Sequence, residues 1–168
     1  QSQAIKERTS KMTAKTIAVV TGGAGFIGSH MVDLLLEEGY EVRVIDNLSG
    51  GHERNLAHQS RNSNLKFEKL DICQLQSDCD MFKGAKYVFH FAGIGDIVPS
   101  IEKPTDYMNT NVQGTVRVLE ASRAGGIEKF VYAASSSCYG LVATPTREDH
   151  PISPQYPYAL SKYQGEQA

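Results

Sequence analysis

The sequence predicts an α/β fold, an open parallel sheet wound on both faces by helices. Three observations predict it. Short β-rich runs alternate with helical stretches along the chain, the pattern of strand–helix–strand units. The first β-rich run is continuously apolar, as a strand covered on both faces must be. That run ends directly in a glycine cluster that opens a helix.

The elements follow in order. Thr16 to Thr21 is the first strand, and Ser29 to Glu38 the first helix. Met31, Val32, Leu34, Leu35 and Leu36 form a broad apolar face on that helix, which Gly39 stops. Glu41 to Ile45 is the second strand. His52 to Asn64 is polar and is either a short helix or a loop. Leu65 to Leu70 alternates as a third strand, and Cys73 to Phe82 reads as a helix ending near Gly84. Lys86 to Phe91 is the fourth strand. A long helix is expected over Thr105 to Arg123, with Val112, Val116 and Leu119 on one side and Gly125–Gly126 at its end. Lys129 to Ala134 is the fifth strand. A Pro- and Thr-rich loop spans Gly140 to Pro157, and a last helix starts at Pro157. Crossovers between these parallel strands should be right-handed.

Composition sets the outer limits. The 168 residues suffice for one domain with its own core. A net charge of −2 is too weak a field to recruit nucleic acid or an anionic membrane. No apolar run approaches the ~20 residues of a membrane helix. Residues 1–15 are polar, lack the apolar centre of a signal peptide and read as a disordered leader, with Met12 a candidate start. Residues 16–168 read as the folded domain. Cys73, Cys79 and Cys138 are too few and too irregularly spaced for a disulfide framework or a zinc site, so free thiols in a reducing cytoplasm are expected and no metal.

The glycine cluster reads Gly22-x-x-Gly25-x-x-Gly28. Gly22 would allow a tight turn, Gly25 a close approach of backbone to a pyrophosphate, and Gly28 close packing of helix on sheet. The helix N-terminus would add unpaired N–H groups and about half a positive charge. Asp46 ends the second strand, where a carboxylate can accept from both ribose hydroxyls of adenosine and repels a 2′-phosphate. The pair therefore predicts a dinucleotide site of Rossmann type that prefers NAD to NADP. Asp71 and Ile72 follow the third strand and fit either an adenine contact or a turn cap.

Tyr158 and Lys162 lie one helical turn apart on one face. A free phenol titrates near ~10 and is a poor base at neutral pH; a neighbouring ammonium stabilises its phenolate. Such a pair can remove a proton from a hydroxyl while hydride leaves the adjoining carbon. With eight tyrosines and ten lysines, roughly half a match to this spacing is expected by chance. Its weight comes from context: Ser135, Ser136 and Ser137 follow the fifth strand, at the carboxyl edge where ligands bind in such sheets.

Seven segments occur in order: TGGAGFIGSH, DNLSGG, LDI, HFAG, NVQGT, SSSCYG and YALSK. Together they resemble the extended short-chain dehydrogenase/reductase family over nearly all of residues 16–168, and most closely its UDP-glucose 4-epimerase-like branch. The resemblance implies a catalytic triad of Ser135, Tyr158 and Lys162, with Tyr158 the base and Lys162 its partner. It implies cofactor contacts from Gly22, Gly25, Phe26, Ile27, Gly28, Asp46, Asn47, Asp71, Ile72, Phe91, Ala92, Gly93, Asn111, Tyr158 and Lys162, and substrate contacts from Ser135, Ser136 and Ser137. Family dehydratases carry carboxylates just after the triad hydroxyl; Ser136 and Ser137 stand there instead, which suits oxidation and re-reduction without loss of water. Gly95 replaces a lysine common in bacterial galactose epimerases, and Pro157 is a minor departure. The implied activity is nucleotide-sugar epimerisation with tightly bound NAD, on a UDP-sugar, in a cytoplasmic homodimer joined through Thr105–Arg123 and Tyr158–Ala168. The alternatives are a dehydratase or reductase of the same family, and a non-catalytic NAD-binding module. Family members run about twice this length, so the C-terminal substrate domain is expected to lie outside this chain, and residues 1–168 alone are expected not to turn over sugar.

Overall fold

The structure is a computed structural model that describes residues 15–168. The expected leader lies outside the described residues except for Lys15, whose ammonium donates to Asn64 Oδ1 at 2.7 Å.

Five strands form one parallel sheet: β1 (Ile17–Thr21), β2 (Glu41–Asp46), β3 (Leu65–Lys69), β4 (Tyr87–His90) and β5 (Lys129–Tyr132). Their order is β3-β2-β1-β4-β5. The chain winds outward from β1 in one direction, then returns to continue on its other side. The topological switch therefore falls between β1 and β4, and a crevice opens beyond the carboxyl ends of the strands there.

Both faces of the sheet are covered, as the apolar β1 requires. Ala18 and Val20 of β1 join Val42 and Val44 of β2 against Val32, Leu35 and Leu36 of helix α1 (Phe26–Glu37). Val19, Ile45 and Val88 point the other way, onto Leu75, Met81, Phe82, Val118 and Ala121. α1 starts three residues earlier than expected. Gly25, with extended ψ, is its N-cap, so Phe26–Gly28 make the first turn. Leu34 is half exposed, so the apolar face of α1 is narrower than the sequence suggested.

Two expectations are corrected. Cys73–Phe82 is not a helix but two short 3-10 turns, Ile72–Gln74 and Asp80–Phe82. Leu75, Met81 and Phe82 enter the core from both ends of a polar, exposed stretch, a spacing that one helical face cannot supply. Arg43 of β2 fixes the second turn by donating to the carbonyls of Asp80, Met81 and Lys83 at 3.1, 3.2 and 2.8 Å. The long helix is also more broken than foreseen. A separate helix α2 (Val98–Glu102) precedes α3 (Pro104–Tyr107), which runs through a π-helical segment, Met108–Gly114, into α4 (Thr115–Gly125). Its end is as expected: Gly126 adopts a left-handed conformation (φ 72°), and the Ile127 N–H closes back onto the Ser122 carbonyl at 3.0 Å. The polar stretch after β2 holds a 3-10 helix, Glu53–Gln59, and α5 spans Pro157–Gln167 with proline in its first turn.

Candidate cofactor and active site

The glycine turn is built by contacts that a side chain would break. Gly22 has φ 70° and donates its N–H to Ile45 O at 2.8 Å. A Cβ there would lie 2.5 Å from the Ala92 nitrogen, so the segments that follow β1 and β4 can come this close only at glycine. A Cβ on Gly28 would overlap the Gly22 carbonyl. Gly28 therefore packs α1 onto the turn itself, whereas the close approach to the sheet, expected of Gly28, belongs to Gly23, whose Cβ would press on Val44 at 2.7 Å. A Cβ on Gly25 would meet only the Gly22 carbonyl, at 3.2 Å. Phe26 and Ile27 are exposed at 80% and 62%. What these positions offer is backbone: the first intrahelical bond is Ser29 N–H to Gly25 O at 3.0 Å, so the N–H groups before it lack helical acceptors.

A cavity of about 540 Å³ opens beside this turn, at the switch point. Of the residues read as cofactor contacts, Gly22, Gly25, Asp46, Asn47, Asp71, Ile72, Phe91, Ala92 and Gly93 line it. Ser49, Gly50, Gly51, Cys73, Ile94, Asp106, Asn109 and Thr110 line it too and were not foreseen. The Gly50–Gly51 pair was the available signal, because a Cβ on Gly51 would lie 2.7 Å from the Ala24 backbone.

Asp46 is 7% exposed and tied at both oxygens: Oδ2 accepts from Ala24 N–H at 2.9 Å and Oδ1 from Leu48 N–H at 2.8 Å. It thus clasps the glycine turn to the end of β2, and each oxygen keeps a further acceptor direction. Leu48 is held in the left-handed region (φ 64°) beside it. Asp71 proves to be a turn cap as well as a cavity residue. Its Oδ1 accepts from Cys73 N–H at 2.8 Å and its Oδ2 from the Asn47 amide at 3.0 Å. Burial alone would raise the Asp71 pKa; the Cys73 and Asn47 bonds outweigh it and hold the carboxyl below its ordinary value.

Ser135, Tyr158 and Lys162 do not line this cavity. Asn111 makes the connection. It is 1% exposed, and its side chain accepts from Ile94 N–H at 2.7 Å and donates to Ile94 O at 3.0 Å and to Ser161 Oγ at 2.9 Å. Ser161 in turn donates to the Tyr158 carbonyl at 2.8 Å. Asn111 is therefore a buried strut joining Ile94, on the cavity wall beyond the end of β4, to Ser161 of α5. The Tyr158 ring meets the Tyr107 ring edge-on, centroids 6.3 Å apart, and the Tyr107 hydroxyl donates to Gly95 O at 2.5 Å. Ser135 opens a 3-10 turn, Ser136–Tyr139, by accepting from Ser137 N–H at 3.2 Å. Burial pushes the Lys162 ammonium down to about 8, so it remains charged in most molecules at neutral pH.

The sequence left one buried network unforeseen. His90 is 1% exposed between Thr21 Oγ1 at 2.5 Å from Nδ1 and Thr115 Oγ1 at 2.9 Å from Nε2. Thr115 spends its only proton on Asn111 O at 2.7 Å, so His90 Nε2–H must donate to Thr115 and Nδ1 must accept from Thr21. Burial, with the Lys162 charge added, pushes the imidazole down to about 3 and keeps it neutral.

Sheet order, glycine turn and clasped acidic residue define the class: a doubly wound dinucleotide-binding domain with its crevice at the switch point. Comparison with known proteins then fixes the family. Residues 18–168 match the model of the NAD dependent epimerase/dehydratase family, and the chain belongs to it. Over 152 residues it is 41% identical to a putative UDP-glucose 4-epimerase of Methanocaldococcus jannaschii, covering 89% of this chain and 48% of that protein. It is 40% identical over 156 residues to the UDP-glucose 4-epimerase of Mycolicibacterium smegmatis, covering 88% and 48%. Among solved structures, the UDP-N-acetylglucosamine 4-epimerase of Methanobrevibacter ruminantium superposes with a TM-score of 0.85 at 34% identity, covering 91% of this chain and 49% of that one. DesIV, a dTDP-glucose 4,6-dehydratase of Streptomyces venezuelae solved with NAD bound, reaches 0.85 at 33% identity, covering 90% and 50%. The chain spans about half the length of the relatives it matches. NAD is the cofactor of this family, and the residues here fit it: a turn that side chains would obstruct, N–H groups without helical acceptors at the start of α1, and a carboxylate on the cavity wall at the end of β2.

Proposed function

We propose that the whole protein is a nucleotide-sugar epimerase that inverts the 4-position of a UDP-hexose by transient oxidation. The observation that carries this reading is the Ser135, Tyr158 and Lys162 set, with hydroxyls rather than carboxylates at Ser136 and Ser137. Removing water from a sugar needs a further acid and base; moving a hydride away and back does not. NAD, when bound, would supply the hydride acceptor and donor. The protein's own part is proton handling and orientation. Tyr158, as phenolate, takes the proton of the sugar 4-hydroxyl and later returns it. Lys162, one turn on, stabilises that phenolate. Ser135 Oγ holds the reacting oxygen, and Ser136 and Ser137 contact the sugar. Gly22, Gly25, Gly28 and the N–H groups of Phe26 and Ile27 hold the pyrophosphate; Asp46 with Asn47 holds the adenosine ribose; Asp71 and Ile72 border the adenine.

A second reading, dehydration, is favoured by the equal superposition of DesIV. The two separate in one assay. With UDP-galactose, the full-length protein should form UDP-glucose without net absorbance change at 340 nm, and Tyr158→Phe should lower turnover by about two to four orders of magnitude. Near-normal turnover in Tyr158→Phe would exclude Tyr158 as the base. We also place a homodimer contact on α4 and α5, where Val116 is partly exposed and a shallow groove runs between Leu119, Arg123 and Ala168, and we place the protein in the cytoplasm.

A further inference from the structure

The Tyr–Lys pair needs its ammonium in one place, yet Lys162 makes no salt bridge among the described residues. What holds it is Tyr132, the last residue of β5. The Lys162 Nζ lies over the Tyr132 ring, 4.3 Å from its centroid. The Tyr132 hydroxyl reaches past it and donates to the Lys162 carbonyl at 3.1 Å. One side chain thus holds both ends of Lys162, its charge by the ring face and its helical turn by the hydroxyl. The ring also packs against the His90 imidazole, centroids 5.8 Å apart. Room for the hydroxyl comes from Gly165, where a Cβ would overlap the Tyr132 oxygen and lie 2.8 Å from Asn111 O.

We propose that Tyr132 is the positioning residue for Lys162, its ring seating the ammonium and its hydroxyl pinning the turn of α5 that carries it. This rests on the reading of Lys162 as the partner of Tyr158. An ammonium over an aromatic face is attracted by the ring quadrupole, most strongly where water is excluded. Burial lowers the Lys162 pKa to about 8, and burial of Tyr132, with Glu166 and Tyr158 nearby, raises its phenol to about 12. Tyr132 therefore stays a neutral donor over the whole range in which Lys162 titrates. The other titratable groups around this pair are His90 from β4 and Tyr158 and Glu166 from α5 itself.

The test is the titration of Lys162 in the full-length protein, followed by NMR of 13C-methylated lysines with Lys162→Arg assigning the signal. In Tyr132→Phe, which keeps the ring, the midpoint should stay within a few tenths of a unit of the parent. In Tyr132→Leu it should fall by about half to one unit, the ring's contribution being lost at similar bulk. Pentafluorophenylalanine at position 132 keeps the shape and inverts the quadrupole; it should lower the midpoint too, and serves if the leucine variant does not fold. Midpoints equal to the parent in both the leucine and the fluorinated variants would overturn the proposal. The catalytic reading of Lys162 is judged separately: unchanged turnover and NAD affinity in Lys162→Met would sink that reading and leave the seat of the ammonium standing.

Discussion

At the scale of single residues, the site is organised by polar groups that are buried and fully paired. No buried side-chain nitrogen or oxygen among the described residues lacks a partner, which is what the low interior dielectric demands. His90 shows the consequence. Its imidazole is pushed down to about 3 in the folded chain, against ~6.5 when unfolded. Between those values the unfolded chain binds the extra proton, so stability rises with pH through that window and the contribution is complete above about 6.5. The slope from this one group is at most about 1.4 kcal/mol per pH unit. His90→Gln should remove that slope and cost on the order of 1–3 kcal/mol at pH 7 through the broken Thr21–Thr115 bridge. Urea melts of parent and variant between pH 4.5 and 6.5, above the main carboxylate range, would show it; parallel pH dependences would count against a neutral buried His90. Asp46→Ala should loosen the glycine turn by removing acceptors from Ala24 N–H and Leu48 N–H, weakening NAD at least tenfold by calorimetry; unchanged affinity would argue against the clasp.

At the scale of elements, the sheet and α1 were legible because burial and chain punctuation agree there. Apolar runs ended by Gly22, Gly39 and Gly126 mark real turns, each with positive φ. The stretch from Cys73 to Phe82 misled because its apolar residues suit a helix by number but anchor two separate turns in the core. Of the site, the cavity wall was readable from the glycine spacing and from the acidic residue at the strand end. The seat of Lys162 was not, because it depends on which face of β5 meets α5, and sequence spacing carries no such long-range contact. The π segment has the same character. Its extra residue turns Asn111 inward toward Ile94 and Ser161 while Val118 stays in the core. Deleting the exposed Gln113 should restore α-helical winding and rotate Asn111 by about 100° relative to α4. The loss of its bonds should cost on the order of 2–4 kcal/mol, read as a lower urea midpoint together with lost turnover. An unchanged midpoint would mean that the strut carries no load. Gly28→Ala, which places a methyl on the Gly22 carbonyl, should abolish NAD binding; retained binding would mean that α1 need not pack on the turn.

At the scale of the whole molecule, a parallel sheet brings residues distant in sequence to one crevice. The glycine turn after β1, the carboxylates after β2 and β3, the Asn111 strut and the Tyr158 helix meet around the carboxyl ends of β1 and β4. A continuous hydrogen-bond path runs from Thr21, the last residue before the glycine turn, through His90, Thr115, Asn111 and Ser161 to the Tyr158 carbonyl. It ties the glycine turn after β1 to the helix that carries Tyr158. In the epimerisation proposed above, a sugar carbon would give up its hydride and take the same hydride back. The direct measurement is the fate of deuterium at the 4-position of UDP-galactose during turnover by the full-length protein. Mass and NMR analysis should find the label retained at the 4-position of the product UDP-glucose, with no deuterium in solvent. Loss of the label from that carbon would rule out return of the same hydride.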